Sequence, residues 1–291
     1  MVSRVCIFGE VLYDHFPVGR PVLGGAPFNV AWHLQAFGQN PLFISCVGAD
    51  EEGRQILSAM QSWSMDTRGL QTDEDLATGK VLVSFIDGEP SYDIVNPVAY
   101  DRIKVPANLP ACRVLYHGSL ALRDCHSLDS LKQIQSSLPA TVFVDVNLRP
   151  PWWQREQVLD WMGQAHWVKL NQHELEELWP HGPDDLSRAR ALLEAKALRG
   201  VVLTRGPAGA LLMTPDGGTN EVLPEPGIRV VDTVGAGDAF TSVIMLGLES
   251  GWGPQVSLDR AQAFASAVVG QRGATVSDPA FYAPFISDWQ L

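Results

Sequence analysis

The most constraining feature of this sequence is a regular alternation between short apolar runs and longer amphipathic segments. The short runs are rich in Val, Ile and Phe, as buried strands are, and the longer segments have helical spacing. Strands that alternate with helices form a mostly parallel sheet with helices packed on it, so the pattern predicts an α/β fold. The predicted strands span residues 4–8, 42–47, 113–117, 141–145, 166–169, 201–204 and 228–231, and the predicted helices span residues 27–37, 52–63, 127–138, 172–178, 184–196, 237–249 and 259–271.

One segment interrupts this alternation. Residues 78–103 predict two strands around a turn at Asp87-Gly88, with no helix between them. A hairpin inserted into a helix-flanked sheet covers a site, pairs with another chain or exposes one face. We predict that this segment is a lid over a ligand site, and its alternating sequence KVLVSFID permits a homodimer that pairs through the lid.

Composition limits the class of protein. A chain of 291 residues with 46% hydrophobic and 19% charged residues is typical of a globular protein. The net charge of -12 argues against nucleic acid as a partner, and the lack of a signal-type N-terminus or a run of about 18 apolar residues argues against a membrane. Reduced thiols and a cytoplasmic location are predicted by four cysteines without zinc-like spacing: Cys6, Cys46, Cys112 and Cys125.

The stretch VVDTVGAGDAFTS, residues 230–242, places two glycines and a carboxylate between a predicted strand and a predicted helix. A dinucleotide-binding turn needs a small residue where Phe240 stands, and a P-loop needs a Gly-Lys-Ser/Thr sequence that this chain lacks. What remains is an anion site at the start of a helix, formed by the main-chain amides of Gly235, Ala236 and Gly237.

Asp238 lies beside that predicted anion site, in the first turn of the helix. The helix dipole would keep its carboxylate ionised and able to accept a proton. An anion site with an adjacent base is the arrangement that transfers a phosphoryl group to a hydroxyl. The alternative is that Asp238 only stabilises the start of the helix, as acidic residues commonly do.

A second glycine-containing segment is LGGAPFNVAWHLQAFG, residues 23–38. Gly24 and Gly25 precede a helix that begins near Pro27, and paired glycines let a ligand approach the backbone. Asn29 could both donate to and accept from sugar hydroxyls. Together with DTVGAGD, this segment closely resembles the two sequence signatures of the PfkB, or ribokinase-like, carbohydrate kinases.

The resemblance covers essentially the whole chain and implies one ribokinase-like domain, residues 1–291. The implied fold is a three-layer α/β/α sandwich with a mostly parallel central sheet and a small β lid, built from residues near 11–23 and 78–103. In this family the aspartate that corresponds to Asp238 is the catalytic base, with the amides of residues 235–237 beside the transferring phosphoryl group. The expected cofactors are ATP and Mg²⁺.

Three further segments carry the resemblance. GEVLYDHF is similar to the family's sugar-binding loop, VKLNQHELEEL to its Asn-x-x-Glu motif, and VVLTRGPAGALL to its nucleotide-binding strand and turn. The roles that the resemblance implies are sugar binding by Asp14, Gly24, Gly25 and Asn29, organisation of water-bound Mg²⁺ and the nucleotide phosphates by Asn171 and Glu174, and contact with ATP by Thr204, Arg205 and Gly206.

Each of these segments also has a purely structural interpretation. Asp14 would then be an ordinary loop acid, and residues 204–206 would form only a turn at the end of a strand. Asn171 and Glu174 would be a helix cap and its first-turn acid. The four motifs stand in the order expected of the family, which favours the functional interpretation.

The sequence predicts the substrate less specifically than it predicts the reaction. VDVNLRPPWW, residues 144–153, resembles a segment found in fructokinases and in 2-keto-3-deoxygluconate kinases. Arg149 in this segment could contact a substrate or a phosphate, or form a structural salt bridge. The lid sequence DIVNPVAYDRI resembles fructokinases and offers Asp93 or Tyr100 to a sugar. Because no second basic residue marks a carboxylate site, fructose is preferred, with 2-keto-3-deoxygluconate or another sugar as the alternative.

Many relatives also bind a monovalent cation. Asp232 and the Val234 carbonyl match one side of that site, and residues 272–277 resemble the other, which makes K⁺ a candidate cofactor. The run before residue 272 departs from the family by being shorter. Two other functions stay open, namely a non-catalytic sugar sensor and a nucleotide-dependent oxidoreductase, and the position of Phe240 disfavours the second.

Overall fold

The structure is a computed structural model that describes residues 5–86, 89–224 and 227–291. Its strands are β1 (Val5–Phe8), β2 (Leu12–His15), β3 (Val22–Gly24), β4 (Leu42–Gly48), β5 (Leu70–Asp73), β6 (Gly79–Ile86), β7 (Glu89–Ile94), β8 (Val114–His117), β9 (Thr141–Asp145), β10 (Trp167–Asn171), β11 (Gly200–Thr204), β12 (Ala210–Met213) and β13 (Thr219–Val222). Nine of them form the central sheet in the order β13-β12-β11-β10-β9-β8-β1-β4-β5. From β11 to β5 the neighbouring strands are parallel, and β12 and β13 add an antiparallel edge.

Helices cover both faces of this sheet. They are α1 (Ala26–Ala36), α2 (Glu51–Ser62), α3 (Cys125–Ser137), α4 (Arg155–Gln164), α5 (Gln172–Leu178), α6 (Asp185–Ala195), α7 (Ala236–Ser250), α8 (Pro254–Val268) and α9 (Pro279–Trp289). Side chains of a strand alternate between the two faces of a sheet, and β1 follows this rule. Val5 and Ile7 belong to the core under α1, α2, α7, α8 and α9, whereas Cys6 and Phe8 belong to the core under α3, α4, α5 and α6. The predicted three-layer fold is therefore confirmed.

A second sheet, the lid sheet, has the strand order β3-β2-β6-β7. It comes from the two segments that the sequence assigned to a lid, although the predicted turn at Asp87-Gly88 lies outside the described residues. The lid sheet is fixed to the body at α2, where Glu52 lies 2.8 Å from His15 Nε2 and 3.0 Å from Lys80 Nζ. These contacts hold β2 and β6 beside the carboxyl ends of β1 and β4.

One predicted strand is wrong. Residues 228–231 form no strand, because the Val231 amide donates to the Val269 carbonyl at the end of α8 (2.8 Å) rather than to a sheet neighbour. Val230 and Val231 are 60% and 51% exposed, so the apolar run that predicted a buried strand lies at the surface. The sequence pattern also missed α4 and α9, and the antiparallel pair β12 and β13.

The prediction that all four cysteines are reduced thiols is wrong for two of them. Cys6 and Cys112 form a disulfide, whereas Cys46 and Cys125 are free. Cys6 lies on β1, and Cys112 precedes β8, which is the neighbour of β1 in the sheet. Residues 106 positions apart in sequence are thereby brought together, which spacing along the chain could not indicate. Within the described ranges, no helix is long and apolar enough to cross a membrane.

Candidate active site

The predicted anion site is the start of α7. Gly235 precedes the helix in the left-handed conformation (φ 78°), and a β-carbon on it would lie 2.4 Å from the Ala274 side chain. Only glycine fits this turn without strain. The Ala236 amide donates to the Thr233 carbonyl at 3.3 Å, so it is not free as predicted. The amides of Gly235 and Gly237 have no acceptor among the described residues and remain available to an anion.

Asp238 faces α1 from the first turn of α7. Its Oδ2 accepts a hydrogen bond from Asn29 Nδ2 at 2.8 Å, although the two residues are 209 positions apart. Burial raises the pKa of Asp238 to about 6, and the hydrogen bond from Asn29 opposes this rise. Burial thus brings the pKa of this carboxyl close to neutrality, so that it is mostly ionised at pH 7 and poised to take up a proton.

Lys169 on β10 is a charged residue beside this turn that the sequence interpretation overlooked. Its ammonium lies 3.0 and 3.1 Å from the Asp145 carboxylate, which also accepts a hydrogen bond from Thr241 at 2.8 Å. A β-carbon on Gly237 would lie 3.2 Å from Lys169 Nζ. A buried cation therefore lies close to Gly237, one of the two residues with a free amide. A lysine two residues before Asn171, at the end of a buried strand, was the available signal.

Arg149 is exposed at the same edge of the sheet, and within the described ranges its guanidinium donates a hydrogen bond only to the Leu148 carbonyl (3.4 Å). Its charge acts on three surrounding carboxyls, those of Glu10, Asp14 and Asp238. Burial raises the pKa of Asp14, and Arg149 opposes that rise. None of the three forms an ion pair with Arg149 in the described part of the chain. The salt-bridge alternative for Arg149 is thus not what the structure contains, and a gap separates the guanidinium from the acids.

The paired glycines allow α1 to begin close to this gap. Gly25 has a φ of 109°, and a β-carbon on it would lie 2.7 Å from the Glu10 carbonyl. A β-carbon on Gly24 would lie 3.4 Å from Asp14 Oδ2. The close approach of the two backbones brings Asn29, Asp14 and Asp238 to one place.

Asp93 does not join this cluster. It pairs with Leu82 across the lid sheet, whereas Val81 pairs with both Asp14 and Ile94. Directly paired residues share a face, so Asp93 lies on the face opposite to Asp14. Tyr92 is on the Asp14 face and is 60% exposed. Tyr100, the other lid residue that the sequence offered to a sugar, is completely buried.

Asn171 and Glu174 form a capping box at the start of α5. Asn171 Oδ1 accepts from the Glu174 amide (2.9 Å), and Glu174 Oε2 accepts from the Asn171 amide (2.8 Å). Glu174 Oε1 also accepts from the Leu148 amide (2.9 Å). The structural interpretation of this motif, a helix cap with its first-turn acid, is therefore correct, and it leaves the role in binding as a prediction. Burial raises the pKa of Glu174, while the adjacent Lys169 lowers it.

The remaining predicted residues lie around the same end of the sheet. Thr204 ends β11, and Arg205 Nη2 lies 3.2 Å from Glu221 Oε2. Gly206 has a φ of 54° and open space around its α-carbon. This turn therefore has room beside it, although nothing within it selects a nucleotide.

The predicted cation site is held together by backbone contacts. Asp232 accepts from the Val234 amide and from the Gly273 amide, each at 3.0 Å. The Ala274 carbonyl lies 3.0 Å from His33 Nε2. Asp232 thus joins the turn before α7 to the 272–277 segment, and the binding of a cation there stays a prediction.

A helix start with free amides, a carboxylate with a pKa near neutrality and a buried lysine together provide what phosphoryl transfer needs. They lie at the carboxyl edge of a mostly parallel sheet, beneath a small lid. The fold and the site define an enzyme that transfers a phosphoryl group to a hydroxyl.

Comparison with known proteins identifies the family. The model of the pfkB family of carbohydrate kinases matches residues 15–280, and the chain belongs to this family. It is 30% identical to the aminoimidazole riboside kinase of Salmonella typhimurium over 265 residues, which are 85% of this chain and 81% of that protein. It is 29% identical to the fructokinase of Salmonella typhimurium over 266 residues, 85% of each chain.

Solved structures agree with this family assignment. A fructokinase from Vibrio cholerae O395, crystallised with fructose, ADP and calcium ion, superposes with a TM-score of 0.82 at 25% identity, covering 97% of this chain and 98% of that one. The aminoimidazole riboside kinase from Salmonella enterica, complexed with aminoimidazole riboside and an ATP analogue, gives 0.80 at 26% identity, covering 97% and 99%. The protein is a carbohydrate kinase with the ribokinase-like fold.

Proposed function

We propose that this kinase transfers the γ-phosphoryl group of ATP to the primary 6-hydroxyl of fructose. The observation that carries the proposal is the Asn29–Asp238 hydrogen bond, which fixes a carboxylate with a pKa of about 6 beside the free amides of α7. Asp238 accepts the hydroxyl proton as the sugar oxygen bonds to phosphorus. The bond between phosphorus and the bridging oxygen of ADP then breaks, and ADP leaves.

The sugar would lie between Arg149 and the carboxyls of Asp14 and Asp238. Asn29 contributes its Oδ1, which is buried and accepts no hydrogen bond from the described residues. A buried acceptor without a donor is costly unless a ligand supplies one, and a sugar hydroxyl does so. Gly24 and Gly25 leave the backbone open to the sugar. Asp93, on the far face of the lid sheet, has no part in this proposal.

ATP would approach from the side of β11. The free amides of Gly235 and Gly237, backed by Lys169, would hold the transferring phosphoryl group and the charge that develops on it. Thr204, Arg205 and Gly206 would line the nucleotide.

The residues of the Asn-x-x-Glu motif fit a magnesium ion only through water. Both oxygens of Glu174 and the Oδ1 of Asn171 already accept backbone hydrogen bonds, which leaves their second lone pairs for ordered water. When bound, Mg²⁺ would neutralise phosphate charge. Asp232 and the Val234 carbonyl would hold K⁺ beside the α7 turn. Replacement of K⁺ and Na⁺ by a bulky organic cation tests that role of K⁺. Unchanged activity would show that the enzyme needs no monovalent cation at this place.

The chain would act as one domain, and the lid sheet offers a way to pair two copies. Its end strands are β3 and β7, and each presents an edge of backbone groups to a neighbouring chain. Light scattering after gel filtration measures the mass in solution. Pairing through the lid would be supported if the protein is a dimer and if Tyr92→Lys or Tyr92→Pro on β7 dissociates that dimer.

A coupled ADP-release screen tests the function. The sugars would be fructose, aminoimidazole riboside, ribose, glucose and 2-keto-3-deoxygluconate, with Asp238→Asn as the control. Fructose should give the highest kcat/KM. Aminoimidazole riboside is the second candidate, because one relative at 30% identity is a kinase for it. Sugar binding without ADP release would instead favour the non-catalytic sensor.

A further inference from the structure

His33 is a buried histidine on α1 to which neither the sequence nor the proposed reaction gives a role. Its ring is completely buried and lies against aromatic rings of α8 and α9, in a region where apolar side chains are the rule. Nevertheless it makes two polar contacts. Nε2 lies 3.0 Å from the Ala274 carbonyl, and Nδ1 lies 3.0 Å from the Tyr282 hydroxyl. A buried polar ring with a partner for each nitrogen determines how its surroundings are arranged.

The partners of the His33 ring fix where its hydrogen lies. Burial lowers the pKa of His33 to about 4, so at neutral pH the ring has one donor and one acceptor nitrogen. A carbonyl only accepts, so Nε2 donates to Ala274, and Nδ1 accepts from the Tyr282 hydroxyl. That hydroxyl also lies 3.0 Å from the Val276 carbonyl and shares its hydrogen between the two acceptors. The bond from Nε2 to Ala274 is therefore the complete one of the two.

The segment that His33 contacts, residues 272–277, contains no helix or strand. Its backbone groups therefore find partners on other elements rather than in a regular ladder of hydrogen bonds. Beside the bond from His33 to Ala274, the neighbouring Trp32 donates from Nε1 to the Val276 carbonyl at 3.0 Å. Helix α1 thus supplies two of the side chains that determine where this segment lies.

Ala274 lies against the turn that forms the predicted anion site. A β-carbon on Gly235 would lie 2.4 Å from the Ala274 side chain and 2.5 Å from its α-carbon, so the two residues are in close contact. A shift of Ala274 would therefore change the space beside the Gly235 amide. Asn29, which donates a hydrogen bond to Asp238, lies one turn before His33 on the same face of α1. One face of α1 thus contacts both the proposed base and the wall of the anion site.

We propose that His33 is a positioning residue for phosphoryl transfer, which holds Ala274 against the Gly235 turn through the hydrogen bond from Nε2. This inference rests on the proposed function, because it requires the transferring phosphoryl group to lie at that turn. The sugar is held at the other end of α1, near Asn29, and does not touch this bond. Loss of the bond should therefore lower kcat without lowering the affinity for the sugar.

Two amide substitutions separate the two nitrogens of the ring. His33→Gln places an amide donor near the position of Nε2, whereas His33→Asn reaches only the position of Nδ1. We expect kcat of His33→Asn to fall about ten- to a hundredfold, because small misplacements near the reacting groups have effects of that size. The kcat of His33→Gln and the sugar Kd of both variants should stay within about threefold of the wild-type values. A purely structural role would instead make the two variants alike.

Tyr282→Phe is the matched control, because it removes the hydroxyl beside Nδ1 and keeps the bond from Nε2 to Ala274. Trp32 still donates to the Val276 carbonyl in this variant. It should lower the melting temperature and leave kcat near the wild-type value. The inference is wrong if kcat of Tyr282→Phe or of His33→Gln falls as far as that of His33→Asn. Should His33→Asn fail to fold, a loss of about tenfold or more in the kcat of His33→Gln still overturns it.

Hydrogen exchange followed by mass spectrometry separates this inference from the kinase proposal. The amides of residues 272–277 should exchange at least about fivefold faster in His33→Asn than in the wild type, and near the wild-type rate in His33→Gln. This measurement needs neither sugar nor turnover. A wild type that releases no ADP with any sugar would contradict the kinase proposal, and the exchange rates would still decide whether His33 fixes the segment. Unchanged exchange in His33→Asn, or equally fast exchange in both variants, overturns the inference.

Discussion

Removal of Lys169 should affect stability and catalysis in separable ways. The side chains of Lys169 and Asp145 are 10% and 1% exposed, and the ammonium lies 3.0 Å from the carboxylate. Although burial lowers the pKa of Lys169, the carboxylates of Asp145, Glu174 and Asp238 outweigh it and hold that pKa above its usual value. The lysine is therefore charged under any assay condition near neutrality. Lys169→Met leaves Asp145 charged and buried with Thr241 as its remaining partner.

The expected cost follows from this burial. Breaking a buried ion pair from one side typically lowers the free energy of unfolding by about 3–5 kcal/mol. The double variant Lys169→Met/Asp145→Asn leaves no buried charge, so it should recover to within about 1 kcal/mol of the wild type. Phosphoryl transfer should not recover, because the cation behind the Gly237 amide is missing from both variants. We expect kcat/KM of both variants to stay at least about a hundredfold below the wild-type value.

Urea unfolding followed by circular dichroism measures the first effect, and ADP release measures the second. Asp145→Asn alone serves as the control for the amide substitution. The reasoning is refuted if the double variant is as unstable as Lys169→Met. It is also refuted if activity returns together with stability, since Lys169 would then only stabilise the fold.

Four further outcomes are expected. Asp238→Asn should lose about 10² to 10⁴ in kcat while sugar binding in calorimetry persists. Because ionised Asp238 is the active form and its pKa is about 6, kcat/KM in the wild type should fall about tenfold for each pH unit below that value. Gly235→Ala should abolish transfer, whereas Gly251→Ala, at the other end of α7 with φ 69° and open space around it, should cost about 1 kcal/mol in urea unfolding and leave activity intact. Asp14→Asn should raise KM for the sugar, whereas Asp93→Asn, on the other face of the lid sheet, should leave it near that of the wild type in the same assay.

The elements that the sequence predicted well are those whose pattern is local. Strand β9 and helix α5 have the predicted bounds, because the apolar run of β9 ends at Asp145 and α5 begins at its Asn171 cap. The strand predicted at 228–231 failed for a tertiary reason. Its backbone pairs with the end of α8, and β13 takes the sheet edge instead. No local pattern distinguishes an exposed apolar run from a buried one.

The lid illustrates a second limit, which concerns register. Val81 and Val83 share the buried face of β6, but the alternating sequence does not indicate which residue of β7 pairs with them. A shift of one residue would move Asp93 to the side of Asp14 and Tyr92 away from it. The resemblance to fructokinases offered Asp93 to the sugar, whereas the pairing of Asp93 with Leu82 puts Tyr92, not Asp93, on the Asp14 face of the lid sheet.

Charge at the site is the property that the sequence could least determine. Glu10, Asp14, Arg149 and Asp238 come from three separate segments, and each appears in sequence as an isolated acid or base. Only the structure shows that these three carboxyls and one arginine surround the same gap, so that their charges act on one another. That balance is also why counting basic residues in the motifs was an incomplete argument for an uncharged sugar. A second arginine, Arg123, lies outside the motifs that were counted, and it is buried with its Nε and Nη2 paired to Asp101.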